Sequence, residues 1–343
     1  MITNRHYLFW GLATAVLCGL SSGLSAQDYT PAINWDNTTV RTEPFAEHLK
    51  SPVVTSVSMQ PGGSLVAVVG DDHIVSLYDR ATGRFDRQLI EHVDWVRTAR
   101  FSPTGGILAT GGNDRRLIIW NLADIANPIE LASHPAAIAD IAWSADGSRL
   151  ATVGFENIVR VYDLEGGALI SELTATSEDL RTVAWSNDDS LLAVGGRNGK
   201  IQIWDVATGQ QQHLLSIHNR RIRALDFTND NRLLSCGDDR VVHITDLNNP
   251  SDVRTLPRHG GKLFSVCTLY DDMIATAGSD NTIYIWNIDN LEQAGTLQGH
   301  SGSVTSLDFQ DTVLVSGSYD TRVNFWTTEK IASSLDDPII FRR

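Results

Sequence analysis

Ten histidines and 41 acidic residues in a chain of 343 are the side chains that metal ligation and general acid–base catalysis draw on. Six of the histidines, His48, His92, His134, His218, His259 and His300, fall at the same place in a repeated pattern. Equivalent points of successive repeats are spread apart by the repeat itself, so these rings cannot converge on one ion. His73, His213 and His243 form no ligand spacing, and His6 lies in the N-terminal segment. Three recurring aspartates, Asp114, Asp280 and Asp320, are expected as buried acceptors rather than as proton-transfer groups. No HExxH, nucleophile elbow, haem-attachment CxxCH or phosphate loop occurs. Neither a cofactor, a metal nor an enzymatic reaction is expected.

Positive charge raises a different question. The stretch SIHNRRIRALDF sets Arg220, Arg221 and Arg223 within four positions, in a chain with 27 Lys+Arg against 41 Asp+Glu and a net charge of −14. That balance argues against nucleic acid, which demands a broad basic surface, and against docking on anionic lipid. What the arginines do depends on the elements that carry them.

Those elements repeat. DDHIVSLYD, NDRRLIIWN, ENIVRVYD, NGKIQIWD, DDRVVHITD, SDNTIYIWN and YDTRVNFW each join an acidic or amide turn to an alternating strand. Their marked residues are Tyr78, Trp120, Tyr162, Trp204, Thr245, Trp286 and Trp326, at intervals of 42, 42, 42, 41, 41 and 40. Within one period the pattern resolves into four short strands, as in RFDRQLI, VRTARF, ILATGG and LIIWNL, with turns such as SPTGG and SADGS. A four-stranded sheet cannot bury both faces alone, so neighbouring sheets must stack around an axis. The class is all-β.

In these features the chain resembles the WD40-repeat family, over Thr39 to Trp326. The family's His, Ser or Thr, Asp and Trp occur as His92, Thr110, Asp114 and Trp120; as His259, Thr276, Asp280 and Trp286; and as His300, Ser316, Asp320 and Trp326. The other repeats depart: Val68 and Tyr78 in the first, Glu156 and Tyr162 in the third, Val194 and Asn198 in the fourth, Thr245 in the fifth. The resemblance implies a seven-bladed propeller of four-stranded antiparallel blades. It also implies that an N-terminal strand, placed at Thr39–Phe45, completes the last blade, with Pro44 suited to an outermost strand.

The resemblance further implies a partner-binding top rim. Its positions fall on Trp95, Arg97, Phe155, Arg181, Arg197, Arg221, Arg223, Lys262, Phe264 and Tyr319. Arginines with exposed aromatics have the composition of binding hot spots. The reading is a non-catalytic scaffold, monomeric, whose rim takes a protein or acidic peptide. The alternative is a glycan or small-molecule binder using the same rim and channel mouth.

At the N-terminus, MITNRHY precedes the uncharged run Leu8–Leu20 and the small-residue stretch SSGLSA. This is the pattern of a signal peptide cut after Ala26, with a retained membrane anchor as the alternative. Export to a periplasm, cell envelope or medium is expected, as in exported bacterial WD-repeat proteins, with no membrane insertion once the signal is removed. The organisation is then a signal peptide (1–26), an extension (27–38), the propeller (39–326) and a tail (327–343). Cys236 and Cys267, both in apolar runs, are expected as buried thiols, with a disulfide as the alternative in an export compartment.

Overall fold

The computed structural model describes residues 35–42, 51–270 and 272–328. The signal-like segment, His48 and residues 329–343 lie outside the described residues, while Thr327 and Thr328, assigned to the tail, belong to the last strand. Short β-branched and apolar runs broken by Gly, Asp and Asn turns give 28 strands and no helix among the described residues. They form seven four-stranded antiparallel sheets. The first strands of the sheets, beginning with Val54–Met59 and Val96–Phe101, neighbour one another in a ring that Val304–Gln310 closes back onto Val54–Met59. The chain is a seven-bladed propeller around an axial channel.

The seventh blade is completed from the other end of the chain. Trp35–Arg41 pairs antiparallel with Arg322–Thr328, with Trp35 opposite Thr328 and Arg41 opposite Arg322. The closing strand therefore starts before Thr39 and ends before Pro44, four residues earlier than expected. Trp35 and Val40 provide its apolar contacts with neighbouring side chains. Proline, which cannot donate to a ladder, falls beyond it.

The core lies between blades. Leu77, Phe101 and Trp120 pack across the first and second blades, and Val57, Tyr78 and Phe325 across the seventh and first. Adjacent first strands are not ladder partners, so side chains supply acceptors for their backbone N–H groups. Ser306 and Asp308 accept from Val57 and Met59 (3.1 and 2.6 Å), Thr182 from Leu225 (3.1 Å), Asp226 from Thr268 (2.8 Å) and Ser265 from Leu307 (3.1 Å). Blades are thus stapled around the channel as well as packed. Cys236 and Cys267 are buried thiols with no disulfide between them, and burial pushes both pKa values up.

Candidate functional site

The first strands begin at the top of the channel, and each is irregular there. Pairing with the second strand slips by one residue in all seven blades, leaving Thr55, Arg97, Ala139, Arg181, Arg223, Phe264 and Thr305 without an opposite residue. Such a bulge re-aims the extra side chain. Four of the residues assigned to the rim, Arg97, Arg181, Arg223 and Phe264, are bulge residues.

A second device fixes the chain just before six of the seven bulges. The carbonyls of Trp95, Ala137, Asp179, Arg221, Lys262 and Ser303 accept from the N–H of Asn113, Phe155, Arg197, Asp238, Ser279 and Tyr319 at 2.8–3.1 Å. Two rim positions in each of these six blades are thereby tied by backbone. The close approach requires glycine: a Cβ at Gly196 or Gly237 would lie 2.3 or 2.1 Å from the carbonyl oxygen of Asp179 or Arg221.

The side chains converge from several blades. The Arg97 and Arg181 guanidinium groups stand 4.7 and 4.0 Å from the centre of the Phe155 ring, and Arg223 stands 5.4 Å from that of Phe264. Asp179 makes an ion pair with Arg181 at 2.6 Å and lies 3.7 Å from Arg221; Asp238 pairs with Arg223 at 2.8 Å. Arg97 Nε donates to the Asn113 amide oxygen. Burial, then the neighbouring charge on Arg181, holds the Arg97 pKa below its ordinary value; burial, then Arg223 and Arg181, does the same at Arg221. Both remain protonated at neutral pH.

The remaining rim residues flank this cluster. Arg197 and Lys262 are exposed, and the Arg197 N–H donates to the Asp179 carbonyl. Trp95 (41% exposed) and Tyr319 (51%) present apolar surface to solvent. Asp179 and Asp238, the counter-ions of Arg181 and Arg223, are not among the residues assigned to the rim, because pairing distances cannot be read from the sequence.

Below the mouth, Arg100 interacts with carboxylates from three other blades. It lies 3.6 Å from Asp140, and its field reaches Asp226 and Asp308. Burial raises all three carboxyl pKa values despite the arginine, that of Asp308 to about 6. Among the described residues no group of three or more His, Cys, Asp or Glu is arranged to hold a metal ion.

The recurring histidines serve the blades. His92 links Asp114 (2.7 Å) to Thr110 (2.8 Å), which accepts from the Trp120 indole (2.9 Å). His300, Asp320, Ser316 and Trp326 form the same chain. Burial works to raise Asp114 and Asp320, yet histidine and backbone donors hold both below the ordinary carboxylate value. The sixth repeat differs from its expected set. Trp286 donates to Thr276 (3.0 Å), but Asp280 accepts from the Tyr284 hydroxyl (3.2 Å) instead of bonding His259. A phenol two positions before the tryptophan competes for the carboxylate. In the fifth repeat His218 joins Asp239 and Ser235, both at 2.9 Å, although Thr245 replaces the tryptophan. In the third, Glu156 pairs with Arg160 (2.6 Å) and Tyr162 meets His134 (3.2 Å).

Comparison with known families agrees with this geometry. The family model described as "WDR19 first beta-propeller" matches residues 92–254. That for the "WD domain, G-beta repeat" matches residues 37–79, 250–287 and 291–327. No curated protein matches the chain. Propellers of WD40 repeats generally act as protein-interaction scaffolds. Seven sheets, the His–Ser/Thr–Trp bonds inside them and the family matches lead to one statement: the chain is a seven-bladed β-propeller that contains WD40 repeats.

Proposed function

We propose that this protein is an exported, non-catalytic interaction scaffold whose channel mouth receives an acidic protein or peptide. The observation that carries the reading is the convergence of Arg97, Arg181, Arg221 and Arg223 around Phe155 and Phe264, with two carboxylates among four guanidinium groups. A positive mouth on a chain of net charge −14 steers acidic partners, and salt screens the attraction. Trp95 and Tyr319 supply apolar contact beside it. The glycan reading is weaker, because stacking on sugar needs free aromatic faces, and Phe155 and Phe264 are stacked with arginine.

The test is capture of partners on immobilised protein at low and high salt. Wild type should retain a salt-sensitive set that the Arg221→Glu, Arg223→Glu double variant loses, with unchanged melting temperature. Identical capture by both proteins at both salt concentrations would overturn the reading. For export, the mature chain should begin at Gln27 by mass spectrometry; an intact Met1 in a membrane fraction would favour the anchor.

A further inference from the structure

The four arginines are not equally neutralised. Arg181 is held by Asp179 at two points: Nε lies 2.6 Å from Oδ1, and Nη2 donates to Oδ2 at 3.0 Å. Arg223 is held by Asp238 through Nε at 2.8 Å and Nη2 at 3.4 Å. These two charges are met. Arg97, by contrast, bonds only a neutral amide, that of Asn113. Arg221 has its nearest carboxylate oxygen at 3.7 Å, on an Asp179 already committed to Arg181, and its Nε makes no hydrogen bond. The unmatched positive charge of the mouth therefore lies at Arg97 and Arg221.

Their places in the ring set them on opposite sides. Arg97 comes from the second blade and Arg221 from the fifth, three blades apart in a ring of seven. The charge of Arg181, on the fourth, acts on both. Both are also prearranged. Arg97 is a bulge residue stacked on Phe155, and the Arg221 carbonyl is fixed by Asp238 N–H against Gly237. Prearranged donors lose little freedom on binding. Resting on the reading of the mouth as an acidic-partner site, we propose that the ligand is a peptide segment with two separated carboxylates that lies across the channel, one carboxylate taken by Arg97 and the other by Arg221.

Charge and position select this class. Each unmatched guanidinium is a single positive charge with donors to spare, which suits a carboxylate monoanion. A compact dianion would need both arginines at one point, and they come from blades three apart in the ring. Asp140, Asp226 and Asp308 beneath the mouth also repel charge that sinks along the axis. Asp179, between the two arginines in the field, is the chain's own carboxylate at the site and keeps Arg181 out of the exchange.

A fluorescent peptide series tests the assignment by anisotropy at low salt. Each peptide carries two glutamates separated by zero to six Gly/Ser residues, with single-glutamate and all-glutamine controls. The two-glutamate peptide of best spacing should bind at least about tenfold more tightly than a single-glutamate one, since the second contact is intramolecular. That best spacing should exceed adjacency. Arg97→Gln and Arg221→Gln should each reduce its affinity to the single-glutamate level. Asp179→Asn should raise affinity for the single-glutamate peptide, a gain that misfolding cannot produce. Binding of acidic peptides with no benefit from a second glutamate, with Arg97→Gln inert, or with no gain in Asp179→Asn, overturns the two-point ligand while leaving the mouth as an acidic-partner site. Acidic peptides that bind no better than all-glutamine controls overturn both.

Discussion

Thr245 occupies the place that tryptophan holds in the complete repeats, fully buried and with its hydroxyl unbonded. A buried, unmatched hydroxyl is a cost that an isosteric methyl removes. Thr245→Val should therefore stabilise the protein by about 1 kcal/mol, while Trp286→Ala should destabilise it by about 3–5 kcal/mol. Chemical denaturation compares the two, and equal losses would contradict these roles. In the same blade as Trp286, burial brings His259 to a pKa of about 4, against a raising effect of Asp280. Tyr284→Phe frees that carboxylate, so the His259 pKa should rise, as NMR titration would show. The His–Asp–Trp spacing was legible in the sequence because it recurs. Tyr284 was not, because an alternating strand gives no hint of which donor reaches a carboxylate first.

Asp308 responds to pH through the same physics. It faces Arg100 and Asp226 across the channel, with Cys267 on the neighbouring strand, and accepts from Met59 N–H. Its folded pKa of about 6 lies above the ordinary 3.8, so between those values the native state binds a proton that the unfolded chain does not. Stability should rise as pH falls from about 6 to about 4, by roughly 1–2 kcal/mol. Asp308→Asn keeps an acceptor for Met59 and should flatten that slope in melts taken across the interval.

At the scale of elements, the rim depends on a bulge and a glycine that alternation conceals. VRTARF reads as a plain alternating strand, yet Thr98 and Ala99 are both buried because the slip at Arg97 shifts the phase. The four-strand period and the turns could be read from residue types. The bulge could not, since six residues are too few to reveal one change of phase. Gly237→Ala puts a methyl against the Arg221 carbonyl at 2.1 Å, and should lower the melting temperature and weaken acidic-peptide binding together. Gly295, with nothing within 4 Å of its Cβ position, is the control. Gly295→Ala should leave both unchanged or add a few tenths of a kcal/mol.

At the scale of the molecule, closure by Trp35–Arg41 is the feature on which all seven blades depend. Removing residues 35–41 uncovers the Arg322–Thr328 edge and should lower the melting temperature by several degrees; an unchanged melt would show that the pairing contributes little. The register of that pairing also has a mechanical consequence. Trp35 sits directly opposite Thr328, so the first and last residues of the propeller meet at one corner. A force pulling those two residues apart acts across the ladder, not along it. It loads the hydrogen bonds one pair at a time, starting at Trp35 and Thr328, and peels the strand as a zipper opens. A ring that heat must melt through packed sheets would thus open at low force when drawn from its own ends.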